Sequence, residues 1–182
     1  MEPLPRQDWL EAEPRRALKE REEMVNVAPD FEWVDDSGAG GWEGLVPVWP
    51  FERPPPPELD AFLGGRRLRV RVDYHQSFPM VEPSIFPLDP QPEVHQRTQA
   101  RWHVLGDGSL CLLQSAADWT GRGTAADLVI KAAGWFLEFI LMQLGEIDEM
   151  TTDGIVNDAS LDHLFDAAHS NPSESNVDQS DG

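Results

Sequence analysis

The stretch RWHVLGDGSLCLL, residues 101–113, holds the only cysteine of the chain, Cys111. The Gly-Asp-Gly tripeptide at 106–108 predicts a tight turn, because Asp and Gly tolerate the positive φ angles that such turns require. Residues 109–113 are mostly apolar and carry Cys111 away from that turn. His103 lies before the turn, where its ring can face the sulfur. We therefore expect Cys111 and His103 to share one site.

This stretch resembles the active-site segment of ubiquitin-conjugating enzymes. Their usual form is His-Pro-Asn, a few variable residues, then Asn-Gly-x-Ile-Cys-Leu, with a Trp farther along. Residues 108–112, Gly-Ser-Leu-Cys-Leu, match the core of that pattern, and Trp119 falls at the matching offset. Residues 101–103 occupy the places of His-Pro-Asn, so His103 stands where the family has the Asn that supports the oxyanion. This departure resembles the divergent bacterial branch, whose members serve ubiquitin-like conjugation or antiphage operons.

A second segment of the chain resembles the same family. In conjugating enzymes the third strand is followed by Tyr-Pro-Phe-x-Pro-Pro and then by a fourth strand. Phe78, Pro79 and Pro83 match that pattern in type and spacing, whereas Glu82 replaces the first proline of the pair. The Pro-rich residues 87–100 then form a longer connection than compact members have, which we interpret as a lengthened loop beside the active site.

Hydrophobic periodicity predicts an α+β fold. Apolar and polar residues alternate most cleanly over 68–75, as expected for a strand of an antiparallel sheet with one core face. Further strands are expected at 31–34, at 42–49 and from 84 onward. A short irregular or helical connection is expected at 58–65.

Three helices are predicted around these strands. A loose apolar stripe predicts a first helix over 7–25, whose regular part begins at Pro14. Residues 124–127 form a variant of the capping box and open a helix over 125–144 that is apolar almost all round. A last short helix is expected at 158–169. The element order resembles the ubiquitin-conjugating-enzyme fold: N-terminal helix, four-stranded antiparallel meander, active-site loop and long central helix.

The chain is expected to form a single domain over 1–169, followed by a disordered acidic tail over 170–182. Its formal net charge of −19 argues against binding to nucleic-acid backbones or to anionic lipid. Since a lone cysteine gives no disulfide framework, a reducing cytoplasm fits best. The most apolar run, 128–144, is interrupted by Lys131 and Glu138 and is interpreted as a core helix rather than a membrane span.

The resemblance implies a thioester mechanism. Cys111 would accept the carboxy terminus of a ubiquitin-like protein from an activating enzyme and transfer it to a nucleophile on a protein target, without a metal or organic cofactor. His103 would either donate a hydrogen bond to the oxyanion or act as a base. The supporting loop would comprise Trp102, Asp107, Gly108, Ser109, Asp118 and Trp119. The acids Asp107, Asp118 and Glu146 are candidates to orient the nucleophile.

Two further features have alternative interpretations. The basic residues Arg15, Arg16, Lys19 and Arg21 match the helix face on which the family docks its activating enzyme, but a solvated helix face explains them equally well. A cysteine in an apolar run is commonly an inert hydrophobe, and His103 can be a structural brace. A catalytically inactive module that binds a ubiquitin-like partner, or a Cys/His hydrolase, would also fit the residue types.

Overall fold

The computed structural model describes residues 9–35, 39–115, 118–152 and 154–167. Its centre is a four-stranded antiparallel sheet whose strands follow one another in chain order. The strands are β1 (Glu32–Val34), β2 (Gly41–Leu45), β3 (Arg69–Asp73) and β4 (Ser84–Asp89). The predicted α+β class and antiparallel meander are therefore confirmed.

Helices precede the sheet along the chain, lie between β2 and β3, and follow β4. They are α1 (Trp9–Ala12), α2 (Pro14–Val27), α3 (Leu59–Leu63), α4 (Val94–Arg97), α5 (Ala125–Leu144) and α6 (Leu164–Ala167), with a 3-10 turn at Ala100–Trp102. Among the described residues, no helix combines the length and apolar character needed to cross a bilayer.

One face of the sheet forms the core. Val70 and Val72 of β3 are fully buried, and Val72 pairs with buried Ile85 of β4. The predicted alternation is thus correct, although the first three strands are shorter than expected. The pairing of β2 ends soon after Leu45: the Val46 N–H still bonds the Leu68 carbonyl at 2.8 Å, but Pro47 has no N–H to continue the ladder.

The long helix α5 begins and ends where local chemistry predicts. The Thr124 N–H donates to Asp127 Oδ2 at 2.7 Å, and the Thr124 hydroxyl accepts from the Asp127 N–H. This reciprocal pair satisfies donors that a helix start would otherwise leave free. The helix stops at Gly145, whose φ of 75° is left-handed.

The terminal helices agree with the prediction only in part. The regular first helix, α2, begins at Pro14 as predicted, but it continues to Val27 and is preceded by the separate short helix α1. The expected last helix reduces to α6, and the turns before it are held by the Arg53 guanidinium. That group pairs with Asp162 at 2.7 Å and donates to the Ile155 carbonyl at 2.7 Å. Residues 1–8 and 168–182, including the predicted acidic tail, lie outside the described residues.

A buried carboxylate, Glu20, joins these elements. Its Oε2 accepts hydrogen bonds from the Tyr74 hydroxyl and from the Ala125 N–H at the start of α5, both at 2.8 Å. Its Oε1 lies 2.9 Å from the Arg16 guanidinium, and the Trp42 indole donates to the Tyr74 hydroxyl at 3.2 Å. Burial raises the pKa of Glu20 despite these partners and raises that of Tyr74 well above its ordinary value.

The raised pKa of Glu20 predicts a pH signature for stability. The folded chain holds this proton more tightly than the unfolded chain, so the contribution of Glu20 is fully present below about pH 4.5, the ordinary value, and falls as pH rises through the folded-state pKa. We expect the free energy of unfolding of the native chain, minus that of Glu20→Gln, to decrease as pH rises from 4.5 to 8. Urea denaturation at several pH values measures this difference.

The control is Glu22→Gln, which removes an exposed carboxylate from the same helix. A difference that stays level or increases with pH for Glu20→Gln would contradict the assignment.

Candidate functional site

Residues 103–111 form a hairpin around the predicted turn. The Gly108 N–H donates to the Leu105 carbonyl at 2.9 Å, and the Leu105 N–H donates to the Ser109 carbonyl at 2.8 Å. At the open end the Cys111 N–H donates to the His103 carbonyl at 2.8 Å. The turn is therefore confirmed, and it brings Cys111 and His103 opposite each other.

The turn residues have structural roles. Asp107 Oδ1 accepts from the Ser109 N–H at 2.9 Å and from its hydroxyl at 2.6 Å. These bonds lower the pKa of Asp107. Gly108 has a φ of 93°, and a Cβ at this position would lie 3.2 Å from the Arg97 guanidinium. Asp107, Gly108 and Ser109 thus support the site by building the turn.

The Pro-rich connection beside the hairpin is ordered. A capping box of Glu93 and Gln96 begins α4, with the Glu93 N–H donating to Gln96 Oε1 at 2.7 Å. Arg97, at the end of this helix, donates to the Pro92 carbonyl at 3.1 Å and packs on Gly108. The lengthened loop therefore braces the turn of the hairpin.

His103 has an unusual backbone conformation. It caps the 3-10 turn with φ 49° and ψ 42°, and its N–H donates to the Ala100 carbonyl at 3.0 Å. It is the only non-glycine residue with a positive φ in the described part of the chain. Histidine and asparagine tolerate this left-handed region better than most residues. The conformation turns the chain from the 3-10 turn into the hairpin.

Cys111 lies at an open cleft of about 600 Å³. The residue is exposed, and its Sγ lies 3.7 Å from the Leu113 carbonyl oxygen. His103 and Asp118 line the same cleft. Of the three candidate acids, Asp118 alone lines it, whereas Asp107 serves the turn and Glu146 lies outside the lining.

Trp119 connects the two segments that resemble conjugating enzymes. Its indole N–H donates to the Pro79 carbonyl at 2.8 Å, and its ring lies 6.3 Å from that of Phe78. Asp118, the preceding residue, accepts from the Ser115 N–H at 2.8 Å. Buried Trp102 stacks edge-on against Phe139 of α5 at 5.6 Å. Both tryptophans therefore anchor the loops around Cys111 to the core.

The four basic residues of α2, Arg15, Arg16, Lys19 and Arg21, do not behave alike. The Arg16 guanidinium pairs with Glu20, donates to the carbonyls of Gly121 and Gly123, and lies over the Phe78 ring. This inward side chain holds the loop before α5, a structural role that the sequence analysis missed. Arg15 and Lys19 are exposed, and Lys19 also reaches the Arg122 carbonyl at 3.2 Å.

Three residues of α5 line the cleft but were not predicted as part of the site: Lys131, Trp135 and Glu138. The two charged ones had a visible signal, because they interrupt the apolar run 128–144. The opposite wall of the cleft, 150–152 and 154–157, contributes Met150 and Thr151 among others. No group of His, Cys, Asp or Glu within the described ranges is arranged to hold a metal ion.

The geometry at Gly108 gives a prediction with a matched control. Gly108→Ala and Gly65→Ala both place a side chain at positive φ, which costs about 1–2 kcal/mol of stability. A Cβ at Gly65 meets nothing within 4 Å, whereas one at Gly108 meets Arg97. We expect only Gly108→Ala to accelerate hydrogen exchange at the Leu105 and Cys111 amides. Equal exchange in both variants would show that the Arg97 contact does not support the hairpin.

No protein-family model, curated protein or solved structure matches this chain. The geometry of the cleft is therefore the basis on which its function is inferred.

Proposed function

We propose that the protein is a divergent ubiquitin-conjugating-like enzyme. Cys111 accepts the carboxy terminus of a ubiquitin-like protein from an activating enzyme as a thioester and passes it to a nucleophile on a protein target. The observation that carries this proposal is the 2.8 Å bond from the Cys111 N–H to the His103 carbonyl. It brings the backbones of these two residues together, and both residues line one open cleft at which Cys111 is exposed.

The order of the elements supports the proposal. A helix, a four-stranded antiparallel sheet, a cysteine-bearing hairpin and a long helix follow one another along the chain. The Trp119–Pro79 hydrogen bond brings together the two segments whose sequences resemble the family. The resemblance further suggests a cytoplasmic role in a bacterial conjugation or antiphage operon, with Arg15 and Lys19 on the docking face.

The exposure of Cys111 suits transfer between macromolecules. A thiol at the surface can be reached by the extended carboxy terminus of another protein. Each step is an acyl transfer: a sulfur or amine nucleophile attacks the carbonyl carbon, a tetrahedral oxyanion forms, and the leaving group departs as the carbonyl re-forms. In discharge, the attacking amine loses a proton and Cys111 leaves as thiolate. In this proposal His103, which lines the same cleft, stabilises the oxyanion or takes that proton.

The alternative of a Cys/His hydrolase is less well supported. Such enzymes activate the thiol through a hydrogen bond to the imidazole. Within the described residues, the Sγ of Cys111 contacts the Leu113 carbonyl and makes no hydrogen bond to His103. An inactive binding module would have no use for an exposed thiol at the mouth of the cleft. These contacts favour the conjugating function.

Replacement of Cys111 tests the proposed function. The protein, an activating enzyme, ATP and a ubiquitin-like protein are combined and resolved on a non-reducing gel. We expect a reductant-sensitive adduct with the native chain, a hydroxylamine-labile ester with Cys111→Ser, and no adduct with Cys111→Ala. The melting curve of Cys111→Ala should change little, because the side chain is exposed. Full conjugation by Cys111→Ala would contradict the proposed function.

Variants of His103 separate its two possible roles. His103→Gly removes the imidazole without the backbone strain that Ala would meet at φ 49°. We expect normal charging of Cys111, but discharge slower by on the order of a hundred- to a thousandfold. His103→Asn should recover part of the rate if the role is donation, and none if it is proton abstraction, because an amide cannot take the proton.

The measurement is single-turnover discharge of the preformed thioester across pH. His163→Ala, at an exposed histidine outside the cleft lining, is the control. Equal discharge rates for the native chain, His103→Gly and His103→Asn, with unchanged melting curves, would leave His103 without a chemical role.

A further inference from the structure

Helix α5 is apolar almost throughout, yet between its capping residue Asp127 and Gln143 near its end it carries three polar groups, at Lys131, Trp135 and Glu138. Their spacing of four and then three residues places them on one face of the helix. All three line the cleft that contains Cys111. This face is named here the polar stripe of α5.

Two members of the polar stripe bind the residues that flank the hairpin, Leu112 and Trp102. The Lys131 ammonium donates to the Leu112 carbonyl at 3.2 Å, and the Trp135 indole N–H donates to the Trp102 carbonyl at 2.9 Å. Leu112 directly follows Cys111, and Trp102 directly precedes His103. The helix therefore holds the chain one residue away from each of the two site side chains.

The third member binds the opposite wall. Glu138 Oε1 accepts from the Thr151 hydroxyl at 2.7 Å and from the Ile155 N–H at 3.0 Å, while Oε2 accepts from the Thr151 N–H at 2.7 Å. Glu138 is 2% exposed. Each carboxylate oxygen thus has at least one donor from this wall.

The charged groups of Lys131 and Glu138 are not needed for the stability of α5 itself. Burying a carboxylate is costly unless it is fully bonded, and an apolar residue at this position would avoid that cost. In the described part of the chain Lys131 makes no ion pair with a carboxylate, and its ammonium donates instead to the Leu112 carbonyl. Both charges are explained by the backbone segments that they hold.

We propose that Lys131, Trp135 and Glu138 are positioning residues for the Cys111 site. Lys131 and Trp135 set the relative placement of Cys111 and His103, and Glu138 sets the wall that faces them across the cleft. None of the three needs to touch the reacting atoms. Their effect on acyl transfer rests on the proposed function, whereas their effect on cleft geometry does not.

Hydrogen exchange of the free protein tests the geometry without any partner. Lys131→Met keeps the aliphatic stem, and Trp135→Phe keeps an aromatic ring beside Phe139, but each loses its donor. We expect both to accelerate exchange at the Cys111 and Leu105 amides roughly five- to tenfold, the change that loss of one hydrogen bond produces. Glu138→Gln should instead accelerate exchange at Thr151 and Ile155.

Positioning predicts that Lys131→Met and Trp135→Phe accelerate exchange in the hairpin, whereas Glu138→Gln accelerates exchange in the wall. General destabilisation would accelerate exchange in both segments with every variant. Trp9→Phe is the matched control, since it removes an indole bond of 2.7 Å to the Ala39 carbonyl, outside the cleft lining. It should leave exchange in the hairpin and in the wall unchanged. Acceleration of all segments alike by the stripe variants, or of none, would overturn the proposal. Should Glu138→Gln fail to fold, Thr151→Val removes a donor from the wall side instead.

Discharge kinetics test the consequence for the chemistry. Lys131→Met and Trp135→Phe should slow single-turnover discharge by roughly ten- to a hundredfold, because small misplacements of reacting groups are costly. Lys131→Arg keeps a cationic donor and should recover most of the rate. Native discharge by Lys131→Met would overturn the positioning role. If the native chain forms no thioester, the proposed function fails, and the exchange pattern still decides whether the polar stripe holds the cleft.

Discussion

The buried carboxylate of Glu20 is the interaction on which the rest of the structure depends. Removing water from a carboxylate costs several kcal/mol, so the group is tolerable only where donors surround it. Here the donors come from Arg16 of α2, from Tyr74 just after β3 and from the first backbone N–H of α5. Because these donors belong to different parts of the fold, one carboxylate aligns helix α2, the sheet and the start of α5.

The position of α5 in turn determines the cleft. Once the start of this helix is held, its cleft-facing side presents Lys131, Trp135 and Glu138 to two separate backbone segments. One segment carries His103 and Cys111, and the other forms the facing wall. A rigid helix is well suited to this task, since side chains on regular elements hold a site more closely than side chains on loops do.

The hairpin combines local and distant support. Its turn is built by Asp107 and Ser109, and Arg97 packs against it from the Pro-rich connection. The left-handed conformation of His103 then directs the chain into the first arm. Cys111, by contrast, has only a long contact to the Leu113 carbonyl and remains exposed. A firmly supported backbone with an accessible sulfur is what the proposed transfer between two proteins would require.

Features that depend on neighbouring residues could be predicted from the sequence alone. Alternation over 68–75, the capping pair Thr124 and Asp127, and the Gly-Asp-Gly turn all correspond to what the structure contains, because periodicity and turn chemistry act over a few residues. Strand and helix ends were less accurate where a proline, such as Pro47, stopped a ladder that the side chains alone would continue. The pairing of Cys111 with His103 across the turn was also predictable, since a tight turn brings its two arms together.

The partners of the buried polar groups depend on how the elements pack, so the sequence could not predict them. Glu20 and the Ala125 N–H are 105 residues apart, and Arg16 reaches carbonyls at a similar separation. Lys131 and Trp135 bind backbone carbonyls, and Glu138 binds mainly backbone N–H groups. Nearly every residue carries such groups, so they leave no mark in the sequence. A polar side chain needs a hydrogen-bond partner when it is buried, and this can be known from the sequence. Which backbone group becomes that partner depends on how the elements pack.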